Sequence, residues 1–192
     1  LRMHAVPERT GAALMARLLA AAEVAGSDIL CGAEVQELYA DADGRVLGVG
    51  FRRPDGSAER VGCQALILAC SGFGGNRDMV RRYIPEMAEA EYFGHAGNRG
   101  DAALWGKQLG AKIRHMGAYQ GHASVAVPHG ILITWAVMRE GGIQVNSAGR
   151  RFADESRGYS EHSVEVLAQP GGAVWGFYDA RIHTLAMEFE DY

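Results

Sequence analysis

Ala65-Leu66-Ile67-Leu68-Ala69-Cys70-Ser71-Gly72-Phe73-Gly74-Gly75-Asn76 is the stretch on which the fold turns. Its first five residues are continuously apolar, the pattern of a strand covered on both faces rather than one that alternates toward water. Small residues and glycines follow at once. Asn76 then offers a side chain that caps a helix predicted over 77–83, which Pro85 follows. A buried strand that runs through a glycine turn into a helix lets backbone N–H groups approach a ligand closely. Tight strand-to-helix packing selects glycine as well, so spacing alone leaves both readings open.

Toward the N-terminus, residues 35–39, 46–51 and 59–63 read as three strands joined by turns at Asp41-Ala42-Asp43-Gly44 and Pro54-Asp55-Gly56, an antiparallel meander. Ahead of it Thr10 caps a helix whose apolar residues Leu14, Leu18, Ala21, Ala22 and Ala25 recur at helical spacing, with Gly26 at its end. Ile29-Leu30 reads as a short strand. Toward the C-terminus a helix is predicted over 102–109, capped by Asp101 and stopped by Gly110. Beyond residue 115 the segments shorten. A strand is predicted at Ile143-Gln144-Val145, a turn at Asn146-Ser147-Ala148-Gly149, a helix from a Ser160 cap to Ala168, a strand over 174–178 and a last helix capped by Asp179. The change of pattern places a domain boundary there, giving 1–114 and 115–192.

Composition narrows the class. Glycine supplies 26 of 192 residues, nearly double the usual ~7%. Only five prolines accompany them and 48% of residues are hydrophobic, which excludes a disordered chain, and no every-third-residue period exists, which excludes a collagen-like one. With 19 Lys+Arg against 23 Asp+Glu the net charge is -4, which argues against a non-specific nucleic-acid binder. The densest apolar stretch, 130–138, falls far short of the ~20 residues of a membrane span. Cys31, Cys63 and Cys70 are odd in number and form no CxxC pair, as expected of reduced thiols in a cytoplasmic protein, and no His or Cys spacing suits a metal. The start at Leu1 and the end at Asp191-Tyr192 read as an internal fragment of a longer protein.

Three further segments accompany the glycine turn: Asn98-Arg99-Gly100-Asp101; Gln120-Gly121-His122-Ala123-Ser124; and Gly141-Gly142-Ile143-Gln144-Val145-Asn146 leading to Gly149-Arg150-Arg151-Phe152-Ala153-Asp154-Glu155. In this order and spacing the set resembles the flavoprotein family of fumarate reductase, succinate dehydrogenase, aspartate oxidase and ketosteroid dehydrogenase. The resemblance implies an α+β fold: the middle of a Rossmann-like FAD-binding domain with its antiparallel meander, then an incomplete capping domain that carries substrate. It implies FAD as cofactor of the whole protein, contacted by Val35, by the turn Ala69, Cys70, Ser71 and Gly72, and by Asp101. Cys70 and Ser71 stand where the family has Thr and Gly. His122 matches a histidine that binds a substrate carboxylate, and Ser124 the threonine of the same segment; Thr134 joins them in orienting substrate.

The chain also departs from fumarate reductases. Those carry Glu and Arg, a proton relay, at the positions of Trp135 and Met138, and a proton-donating arginine at the position of Tyr159. Tyr159, or Arg157 two residues before it, is the candidate for moving the proton here, and a tyrosine at this place is similar to the ketosteroid dehydrogenase branch. The run Ala168-Gln169-Pro170-Gly171-Gly172 with Trp175 and Asp179 is closer to a tricarballylate-dehydrogenase-like branch. The implied activity is addition or removal of hydrogen across a C–C bond next to a carboxylate or carbonyl. Substrate would be a small carboxylate or enone, and the electron donor or acceptor is open. The rival is a non-catalytic binding module on a degenerated flavoprotein scaffold. The family's N-terminal glycine fingerprint and C-terminal substrate residues lie outside these 192 residues, so the fragment alone is expected to be inactive and to hold FAD weakly or not at all.

Overall fold

Thr10 Oγ1 accepts a hydrogen bond from Ala13 N at 3.2 Å and starts helix α1, Gly11–Val24, which ends before Gly26 at a φ of 73°. This computed structural model describes residues 5–8 and 10–188; the outer ends of the two predicted domains, 1–4 and 189–192, and residue 9 lie outside the described residues. The chain divides into two units, Leu1–Ile67 and Leu68–Tyr192.

In the first unit the meander forms as the alternation predicts. Strands β1, Glu34–Ala40, β2, Val46–Arg52, and β3, Ala58–Gly62, pair antiparallel in the order β1-β2-β3. Val35 lies opposite Phe51, which is buried, and the register shifts twice along β1. Helix α1 buries none of its residues. Two expectations fail here. Ile29-Leu30 forms no strand, and its side chains stay exposed. Residues 65–69 form no strand either, and Ile67 is 89% exposed. An apolar run becomes a strand only when neighbours take up its N–H and C=O groups. Among the described residues none pairs with it.

In the second unit Asn76 Oδ1 accepts from Met79 N at 3.1 Å and caps α2, Arg77–Tyr83, as predicted. Helix α3 runs Asp101–Gln108, but its cap is Gly100 and not Asp101. Gly100 takes a φ of 87°, and its N–H donates to Gly72 O at 3.1 Å. A Cβ there would sit 2.6 Å from Met79 Sδ and 2.9 Å from Phe73 Cβ, so only glycine fits. Asp101 is thereby moved into the first turn, where a carboxylate still favours the helix N-terminus.

The remainder consists of short elements. Strands β4, Val125–Ala126, and β5, Ile131–Leu132, form a hairpin, and helix α4, Ala136–Arg139, follows; sequence patterning showed none of the three. Strand β6, Ile143–Val145, pairs antiparallel with β7, Trp175–Phe177. Helix α5, Tyr159–Leu167, is capped by Gly158, not by Ser160, whose hydroxyl instead donates to Gly121 O at 3.1 Å. Asp179 Oδ1 accepts from Ile182 N at 2.8 Å and caps α6, Ala180–Ala186. Ala123, Trp135, Val137, Met138, Ile182 and Ala186 form the core of this unit, with Ile133, Tyr159 and Val166 packed against it.

Candidate functional site

Three of the residues singled out in the sequence meet on that core. The His122 and Tyr159 rings stack with centroids 5.3 Å apart, and Trp135 meets His122 edge-on at 6.4 Å. Tyr159 reaches this position because it opens α5, and its Oη accepts from Gln120 Nε2 at 2.7 Å. Ser124 is buried, and its backbone N–H donates to His122 Nδ1 at 3.3 Å. A neutral His122 therefore carries its proton on Nε2. Burial lowers its pKa, only partly opposed by that contact with Ser124. Thr134 is in the same region through its neighbour Trp135, and its Oγ1 accepts from Ala136 N at 3.3 Å. Arg157 points elsewhere: it pairs with Glu165 at 3.7 Å, and its side chain is 59% exposed.

A buried polar network supports this cluster. Gln144 Nε2 donates to Ser124 Oγ at 3.0 Å and to Ala123 O at 3.3 Å. Gln144 N donates to Glu155 Oε1 at 2.7 Å, and Arg151 grips Glu155 Oε2 from Nε at 2.8 Å and Nη2 at 2.5 Å. Burial of Glu155 works to raise its pKa, but the bonds from Arg151 and Gln144 outweigh it, and the carboxyl is held below its usual range. His162 is fully buried between Trp135 and Phe152, with centroids at 5.2 and 5.5 Å, and neither ring nitrogen has a partner within hydrogen-bond geometry among the described residues. Sequence reasoning passed over His162 and Gln144 as site neighbours. His162 was discoverable, since it lies three residues from Tyr159 and so shares its helix face.

The second group of residues gathers around the glycine turn. Gly75 N donates to Asn98 O at 2.9 Å and Asn76 Nδ2 to Arg99 O at 3.0 Å, so the turn and the start of α3 form one hydrogen-bonded unit with the Gly100–Gly72 bond. Ser71 has a φ of 62°, in the left-handed region that glycine favours. A Cβ on Gly72 would meet nothing within 4 Å. Asp101 lies 3.8 Å from Arg99 as an ion pair. Ala69 and Cys70 are exposed, and the three cysteines are free thiols. Val35 belongs to the other unit.

A family model described as FAD binding domain matches residues 1–182. The chain belongs to this family. It is 27% identical over 183 residues to the probable fumarate reductase Ifc3 of Shewanella frigidimarina (strain NCIMB 400), covering 95% of this chain and 31% of that protein. It is 32% identical over 162 residues to a 3-oxosteroid 1-dehydrogenase of Mycolicibacterium smegmatis (strain ATCC 700084 / mc(2)155), covering 79% of this chain and 28% of that protein. The open conformation of a flavocytochrome c3 fumarate reductase matches with a TM-score of 0.80 at 27% identity, over 94% of this chain and 32% of that one. The chain thus spans less than a third of the length of the curated relatives it matches. The mixed helix-and-sheet structure is that of part of an FAD-binding fold.

The residues at the turn fit a cofactor of this kind. Gly72 leaves open space where a side chain would stand, Ser71 holds the backbone as a glycine would, and the Asp101 carboxylate at the start of α3 is an acceptor for ligand hydroxyls. Among the described residues no three His, Cys, Asp or Glu side chains gather as metal ligands, and no helix is long and apolar enough to cross a membrane.

Proposed function

We propose that the protein containing this segment is an FAD-dependent oxidoreductase that adds or removes hydrogen across a C–C bond next to a carboxylate or carbonyl. The observation that carries the reading is the meeting of His122, stacked on Tyr159, with Ser124, which a buried polar network holds. When bound, FAD exchanges a hydride with substrate carbon. The turn through Ala69, Cys70, Ser71 and Gly72, together with Asp101, would hold the cofactor. Residues 115–192 act as the capping part. His122 Nε2–H and the Ser124 hydroxyl bind an acceptor oxygen of substrate, and Thr134 orients it. Tyr159 moves the proton, because its Oη accepts from Gln120 and so retains its own O–H to donate. Arg157, paired with Glu165, is the weaker candidate for that step. The free thiols suit a reducing compartment such as the cytoplasm.

A second reading, an enzyme similar to ketosteroid dehydrogenases, is favoured by one feature. Trp135 and Tyr159 line the site with aromatic rings where a dicarboxylate enzyme of this family carries charges. Assaying the full-length protein, loaded with FAD, against fumarate, a tricarboxylate and a cyclic enone tests both readings. Turnover of any of the three supports the first reading, and turnover of the enone alone narrows it to the second. Tyr159→Phe is expected to lower kcat by about 100-fold or more. Absence of turnover with every substrate would leave the non-catalytic binding module.

A further inference from the structure

Gln144 stands at the middle of β6, is 2% exposed, and is not a residue that strand patterning marks as functional. Its side-chain amide faces two groups, Ala123 O at 3.3 Å and Ser124 Oγ at 3.0 Å. A carbonyl oxygen only accepts, so the end of the amide that faces Ala123 O is the NH2 group. That fixes the amide orientation and makes Ser124 Oγ an acceptor toward Gln144. The hydroxyl proton of Ser124 is then left to donate to something else. On the same turn the Ser124 N–H donates to His122 Nδ1 at 3.3 Å, which puts the proton of neutral His122 on Nε2. Gln144 is itself anchored, because its N–H donates to Glu155 Oε1 at 2.7 Å and Arg151 holds the other Glu155 oxygen.

We propose that Gln144 is a positioning residue that sets the hydrogen-bond polarity of the site, holding Ser124 O–H and His122 Nε2–H as two donors for one acceptor oxygen of the substrate. The proposal deepens the reading of His122 and Ser124 as substrate-binding residues and rests on it. It also narrows the ligand chemistry. The oxygen that docks here is an acceptor without a proton, a carboxylate or a ketone oxygen, and not an alcohol that must donate. Arg151 and Glu155 act through Gln144: they fix its backbone, and its side chain fixes Ser124.

The test uses the full-length FAD-loaded protein with Gln144→Met, which keeps the bulk of the side chain and removes its donors, and Gln144→Glu, which replaces the NH2 by an acceptor. Three readouts are taken, one of them kcat and KM with the probe that turns over. Selective 15N-histidine NMR, with the His122 signal identified by its loss in His122→Ala, reports the tautomer of His122. Titration with fumarate and with cyclohexenone, followed by flavin absorbance, reports binding. In wild type the His122 proton is expected on Nε2. In both variants the two tautomers mix, and affinity for the probe that binds falls about tenfold, the value of one hydrogen bond, with kcat changed less than KM. A reduction that left KM untouched and kcat alone affected would overturn the positioning role. So would a folded Gln144→Met or Gln144→Glu protein with the wild-type tautomer and wild-type affinity. Should one variant fail to fold, the other is read by the same criteria. If wild type binds neither probe, the substrate reading fails, while the tautomer still decides whether Gln144 sets the turn.

Discussion

Ser71 shows what a single residue costs this fold. It takes a φ of 62° beside an open Gly72, a conformation that costs a residue with a Cβ roughly 1–2 kcal/mol. Ser71→Gly is expected to raise stability by about 1 kcal/mol, read as a shift of the urea midpoint with unchanged slope. His162 acts through pH. Burial lowers its pKa from the ordinary 6.5, with Glu155 opposing the shift. The unfolded chain therefore binds the proton more readily than the folded one. Stability is fully present above 6.5 and is lost as pH falls through 6.5 toward the folded value. His162→Phe is expected to lessen that limb in urea titrations between about pH 5 and 8, leaving the slope that His122 contributes in the same direction. Glu155, whose pKa is lowered, adds a separate loss at more acid pH, below its ordinary 4.5. The pairing of His122 with Ser124 was open to sequence reading because both lie in one short segment. The reach of Gln144 to Ser124, across 20 residues, was not, since nothing in a local pattern tells which strand residue turns inward to a distant turn.

At the scale of elements, what was legible is what is local. Thr10, Asn76 and Asp179 cap α1, α2 and α6 as read, because each side chain bonds an N–H three residues on. The meander was legible for the same reason: its turns and alternation lie within a few residues of one another. Asp101 and Ser160 were each read as caps, and each instead lies inside its helix, behind Gly100 and Gly158. A glycine ahead of a good capping residue is a competitor that spacing does not rank. Residues 65–69 failed for a different reason. A strand is a pairwise object, and an apolar run records a preference for pairing without supplying a partner. Hydrogen exchange on the 192-residue chain is expected to separate the two cases. Amides in the ladders of β1, β2 and β3 are protected, and amides 65–69 exchange at rates near those of an unstructured peptide. Protection of 65–69 equal to that of β2 would refute this.

For the molecule as a whole, membership of the FAD binding domain family was legible only as an ordered set of segments, none of them specific alone. The chain covers less than a third of its curated relatives, so what it holds of a cofactor site is a part. The turn at Ala69, Cys70 and Ser71 is exposed, and the run before it is unpaired. Segment 1–192 produced by itself is therefore expected to bind FAD weakly, without a stoichiometric flavin absorbance after gel filtration, whereas the full-length protein retains it. A yellow segment with one flavin per chain would count against the assignment of these residues as only part of a site.

Trp135 is buried with its ring against two imidazoles, His122 and His162. A protonated imidazole quenches indole emission and a neutral one does so far less. The protein therefore carries its own optical gauge of the charge in its site. Emission from Trp135, isolated by replacing Trp105 and Trp175 with Phe in the 192-residue segment, would dim as the histidines protonate and dim further when a carboxylate docks on His122 and favours its charged form. Occupancy could be followed this way without a coloured substrate and without the flavin.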